Sequence, residues 1–96
     1  MYPNKSYLTL KQPIIEQAYI IADNFKMDKQ LLKKLALRIK ELRKIKGYTQ
    51  DDLSVLSNIA RSTLGNIETA SNDITFSKLN QLSKAFDMSL SEFLNF

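Results

Sequence analysis

Ninety-six residues make one small domain with one modest core, too short for the two-domain layouts of most enzymes. With 44% apolar residues, two glycines, two prolines and neither cysteine nor histidine, the composition is that of an ordinary globular chain. It excludes disulfide frameworks, thiolate or imidazole metal sites, and cysteine or histidine catalysis. The net charge of +4 is unevenly placed: eleven basic residues face four acidic ones through Tyr48, and three face six from Thr49 onward. A polyanion would therefore be drawn first to residues 26–46.

Scarce glycine and proline, with no sustained period-2 alternation, predict an all-α chain. Residues 1–12, with Pro3, Asn4 and Ser6 among scattered apolar side chains, have no helical period and read as an arm. Pro13 suits a first helical position, and Ile14, Ala18, Ile21 and Phe25 then recur at helical spacing, which predicts a helix over 13–24. Ile15, Tyr19 and Ala22 make that helix apolar on more than one face, so it either covers the core or dimerises. Residues 1–30 are accordingly taken as a packing or dimerisation extension, and 31–96 as the main domain.

Asp28 can cap the next helix, in which Leu32, Leu35, Ile39 and Leu42 form one stripe and Lys33, Lys34, Lys40 and Lys44 lie on other faces. Gly47 ends it, with Lys44 and Lys46 near the negative end of its dipole. Thr49 with Asp52 forms a capping-box pattern for a short helix that ends near Ser57 and turns Leu53, Leu56 and Val55 inward. Asn58 tolerates a left-handed turn, and a further helix runs over 60–69 with Leu64 and Ile67 buried. Residues 70–73 are a polar break in which Ser71 and Asn72 are expected to reverse the chain, because Ala70 stands where a helix-ending glycine would serve. Thr75 caps a helix whose inner face is Phe76, Leu79, Leu82 and Phe86, and Ser89 opens a last one burying Leu90, Phe93 and Leu94.

Gly47, Tyr48, Thr49 and Gln50, then Leu53, Asn58 and Ile59, then Leu64, Ile67 and Glu68 have the spacing of a helix-turn-helix. From about Leu35 to Leu94 the chain resembles the phage Cro and repressor type of DNA-binding domain, the XRE family. The resemblance implies a five-helix, lambda-repressor-like DNA-binding domain, here with an extra N-terminal helix and arm. The first helix of the motif would lie across phosphates while the second enters a major groove about 12 Å wide. Ala60, Arg61, Ser62 and Asn66 fall where such a recognition helix contacts bases. Arg61 suits guanine O6 and N7, and Asn66 suits adenine N6 and N7. Thr49 and Gln50, at the start of the anchoring helix, are placed for phosphate, as are Lys44, Lys46, Asn72, Thr75 and Lys78. Arg43 and Glu68 match positions that form a partly buried ion pair in the family. Ala60 replaces the usual capping Ser or Thr, and Gly65 interrupts the recognition helix, each at a cost of about 1 kcal/mol.

These readings predict a cytoplasmic, sequence-specific transcriptional regulator, a repressor or autoregulator, that binds a palindromic operator in double-stranded DNA as a homodimer. An antitoxin with the same DNA-binding fold and a toxin or other protein partner is the alternative. A membrane-surface or RNA-binding element is disfavoured, because the stripe of the basic helix is needed for the core and no aromatic stacking platform accompanies it. No run of 18 apolar residues could span a membrane, and no signal segment is visible. No nucleophile or phosphate loop accompanies the carboxylates, so no enzyme, cofactor or metal site is expected.

Overall fold

The computed structural model describes residues 27–96 and, ahead of them, Ile15 alone, which is helical and exposed. The predicted arm over 1–12 and, Ile15 apart, the predicted helix over 13–24 lie outside the described residues. Five helices and no strand make up the described part: α1 Lys29–Lys46, α2 Gln50–Ser57, α3 Arg61–Glu68, α4 Phe76–Ala85 and α5 Leu90–Phe93. This is the all-α, five-helix arrangement that the sequence predicts.

Local chemistry sets the ends of these helices. Asp28 accepts the Leu31 N–H at 3.0 Å to open α1, and Gly47 closes it at φ 71°, a left-handed value free of cost to glycine. Thr49 with Asp52, and Ser89 with Glu92, form complete capping boxes at the starts of α2 and α5. Asn58 takes φ 57° and so turns α2 sharply towards α3. Two further bonds fix that turn: Ser54 Oγ donates to the Ile59 carbonyl at 2.6 Å, and Gln81 Nε2 of α4 donates to the Ser57 carbonyl at 3.0 Å.

The core forms where the apolar stripes of all five helices converge. Ile39, Leu53, Leu64, Leu82, Phe86 and Phe93 are almost wholly enclosed. Tyr48, Phe86 and Phe93 stack in sequence with centroid separations of 6.1 Å, within the range at which aromatic pairs attract. Arg38 ties α1 to the end of α5, its Nε donating to the Phe93 carbonyl at 3.1 Å and its Nη2 to the Glu92 carbonyl at 3.0 Å. Those carbonyls belong to a helix end, where partners must come from outside the helix.

Three expectations are corrected by the packing. Leu56 and Val55 are 51% and 81% exposed, not inward, because Leu53 and Ser57 share the buried face of α2 and Ile59 fills the core beyond the turn. Phe76 is 71% exposed, since it sits on the first turn of α4 and the adjoining edge of the core is met by Ile74 just upstream. The reversal after α3 is made by Ala70 itself, at φ 56°, and not by Ser71 and Asn72. The Ala70 N–H bonds the Ile67 carbonyl at 3.1 Å and the Ser71 N–H bonds the Asn66 carbonyl at 3.0 Å, the paired bonds of a Schellman ending. Leu90 and Leu94 are partly buried against the core, with Phe93 between them fully so.

Candidate nucleic-acid interface

The position of α3 follows from its two faces. Leu64, Ile67 and Glu68 are buried, while Ala60 just before the helix and Arg61, Ser62 and Asn66 within it are exposed. By helical spacing Ser62 and Asn66 lie opposite Leu64 and Ile67, while Arg61 shares the flank of Glu68, seven positions on, and is exposed at the first turn of the helix. Thr63 and Gly65 are half-buried between the faces. Ala60 adopts an extended conformation with no side-chain cap bond, as a methyl group must.

A buried carboxylate ties α3 to its neighbours. Glu68 Oε1 accepts from Arg43 Nη2 at 2.7 Å and from Gln50 Nε2 at 2.9 Å, and its Oε2 accepts from Arg43 Nε at 2.8 Å. The predicted Arg43–Glu68 pair is thus a two-bond fork, and Arg43 Nη1 also donates to the Tyr48 carbonyl at 3.1 Å. One anion therefore holds α1, α2 and α3 together. The third member is new: Gln50, predicted from sequence only as a phosphate contact, gives one amide N–H to Glu68 and keeps the other.

The start of α2 retains part of its capacity for an anion. Asp52 and Thr49 satisfy each other, Asp52 N to Thr49 Oγ1 at 3.0 Å and Thr49 N to Asp52 Oδ2 at 2.9 Å. The Thr49 backbone N–H, and after it the Thr49 hydroxyl, hold the Asp52 carboxyl below the usual carboxylate range. The N–H groups of Gln50 and Asp51 have no acceptor among the described residues, the normal state of a first helical turn. Two acidic side chains on that turn would oppose a phosphate, but Asp52 folds back onto Thr49 and Asp51 accepts from Arg61 Nε at 2.9 Å.

The remaining predicted contacts are more scattered. Lys44 and Lys46 are exposed at the C-terminal end of α1, and Lys46 Nζ lies 4.0 Å from Asp87 in the turn between α4 and α5. Asn72 and Thr75 are exposed beyond α3, and Thr75 Oγ1 accepts the Lys78 N–H at 3.2 Å to cap α4. Lys78 is half-buried. The partner of Asp51 and the Gln81 bridge are not legible in the sequence. Asp51 was legible only as a first-turn acid, since its partner lies ten residues on and across a turn.

Among the described residues no group of His, Cys, Asp or Glu could hold a metal ion, and no helix is long and apolar enough to cross a membrane.

Residues 39–93 match the family model described as Helix-turn-helix, HTH_3. No curated protein matches the chain. Among solved structures, the restriction-modification controller protein C.AhdI from Aeromonas hydrophila is 32% identical with a TM-score of 0.62, over 65% of this chain and 94% of that one. The controller protein C.Esp1396I, solved as a tetramer in complex with its natural 35 base-pair operator, is 36% identical with a TM-score of 0.61, over 67% of this chain and 88% of that one. An HTH_3 family transcriptional regulator from Vibrio cholerae is 27% identical with a TM-score of 0.65, and there the match covers 70% of this chain but 38% of the other. The chain belongs to the helix-turn-helix family of Cro/repressor (XRE) type, whose members are DNA-binding regulators and not enzymes.

Proposed function

We propose that this protein is a sequence-specific transcriptional regulator, a repressor or autoregulator, that binds a palindromic operator as a homodimer. The open outer face of α3, held in place by the buried Glu68–Arg43–Gln50 cluster, carries this reading. Ala60, Arg61, Ser62 and Asn66 meet base edges, while Thr49, Gln50, Lys44, Lys46, Asn72, Thr75 and Lys78 meet the backbone. Support comes from C.Esp1396I, which was captured as a tetramer on its own operator.

Two copies are needed for specificity, because one such domain touches only a few base pairs and half-sites lie about 34–36 Å apart. An apolar groove lined by Leu31, Leu35, Ile74, Leu79, Leu94 and Phe96 offers surface for association. Residues 1–30 are the other candidate for the dimer contact, and a toxin partner is the competing use of either surface. Mass measurement of the purified protein alone and with operator separates these readings.

Binding driven by phosphate contacts must weaken steeply with salt, the logarithm of affinity falling by about 0.9 per phosphate for each unit in log salt. Fluorescence anisotropy on labelled duplex is expected to give a slope of several units, and a flat response would contradict the proposed phosphate set.

A further inference from the structure

The pair between Asp51 and Arg61 has no evident structural purpose. Both side chains are largely exposed, at 84% and 52%, and an exposed ion pair contributes little to stability. Its geometry, however, bears on how Arg61 can meet a base. Only Arg61 Nε is engaged, at 2.9 Å from Asp51 Oδ1, and no acceptor among the described residues takes Nη1 or Nη2. The guanidinium lies beside Gly65, where a Cβ would sit 3.7 Å from Nη1, an ordinary contact.

An arginine can grip guanine through its two terminal nitrogens or through Nε and one of them. With Nε held by Asp51, the terminal fork is the edge left free. Pinning Nε also removes rotamer freedom that a long side chain would otherwise lose on binding. It further neutralises Asp51, whose charge would repel the phosphates beside α2. We infer that Asp51 is a specificity-determining positioning residue: it acts through Arg61, orienting the guanidinium so that its terminal nitrogens meet guanine O6 and N7.

This inference rests on the proposed role of Arg61 as a base reader, and the test keeps the two apart. Bound-site selection from random duplexes is run with the native protein, D51N, D51A, R61A and the D51A/R61A pair. Far-UV circular dichroism and thermal melting confirm that each is folded, as exposed positions allow. R61A is expected to erase base preference at one position of each half-site. D51A is expected to weaken preference at that same position by roughly 2- to 10-fold, the scale of ordering one long side chain. D51N, which keeps an acceptor for Nε, should retain much of the preference. Loss of the acidic charge should also tighten binding to all sequences alike, with or without Arg61.

Two results overturn the inference separately. If R61A erases a preference but D51A leaves it intact, or D51N and D51A behave identically, Asp51 acts only through its charge and the base-reading role of Arg61 survives. If R61A alters no base preference, the reading of Arg61 fails and the role of Asp51 falls with it.

Discussion

Glu68 is the charged residue on which the geometry of the motif depends most directly. It is 2% exposed, and three hydrogen bonds from Arg43 and Gln50 compensate for its removal from water. Removing Arg43 would leave a buried carboxylate with only the Gln50 amide as partner. Arg43→Ala is therefore expected to destabilise the domain by about 3 kcal/mol, measured by urea denaturation. Glu68→Gln, which removes the charge and keeps an acceptor, should cost less, and a larger loss for Glu68→Gln than for Arg43→Ala would contradict this account. The pair itself was legible through resemblance, as two positions 25 residues apart. The third donor was not, because a glutamine in a first helical turn suits a phosphate equally well on sequence grounds.

At the scale of the element, α3 has the poorest local signals of the described helices built on two turns or more. It lacks a side-chain cap at Ala60, carries a glycine at position 65 and ends on a left-handed alanine. The glycine is not required by its surroundings, since a Cβ there would make only an ordinary contact with Arg61. Gly65→Ala is thus expected to stabilise the domain by about 1 kcal/mol, seen as a raised urea midpoint. A lowered midpoint would show that position 65 does not tolerate a side chain, and an unchanged one that the glycine costs this helix nothing.

Helix starts and stops were the most legible feature of the sequence. Asp28, Gly47, Thr49, Asn58, Thr75 and Ser89 all do locally what their chemistry suggests. The inner faces of short helices were less so. Over the eight residues of α2, Leu53 and Leu56 lie on nearby faces, and only the tertiary packing decides that Ser57 accompanies Leu53 inward. Phe76 shows the same limit: it has the right spacing but lies at the edge of the core. Ala70 lay outside local rules, because a left-handed alanine, at a cost of about 1–2 kcal/mol, is stable only when its neighbours impose the reversal.

At the scale of the whole molecule, stability should depend on pH through the two capping boxes. Asp52 accepts from Thr49 and Glu92 from Ser89, and each carboxyl is held below its ordinary value by those bonds. A depressed folded-state pKa means that the contribution is present above the unfolded-state value and is lost as pH falls through it towards the folded-state value. The urea midpoint should therefore drop as pH falls into and below the ordinary carboxylate range, and the drop should be smaller in a D52N/E92Q variant. Equal drops in both proteins would remove the boxes as a source of acid sensitivity.

The charge asymmetry of the chain also acts at this scale. On the proposed reading, the basic residues of α1 and its C-terminal end supply a sequence-independent attraction, which would bring the protein to DNA but cannot choose a site. On the same reading, choice falls to the exposed residues of α3. Selection of bound sites from random duplexes, with the native protein, Arg61→Ala and Gln50→Ala compared, tests that division most directly. The native protein should yield a two-fold symmetric motif with half-sites about 10 base pairs apart. Arg61→Ala should lose preference at one position in each half-site, and Gln50→Ala should weaken every sequence alike while leaving the motif unchanged. An identical motif from the native protein and Arg61→Ala, with both variants weakened uniformly, would contradict the assignment of this face to base reading.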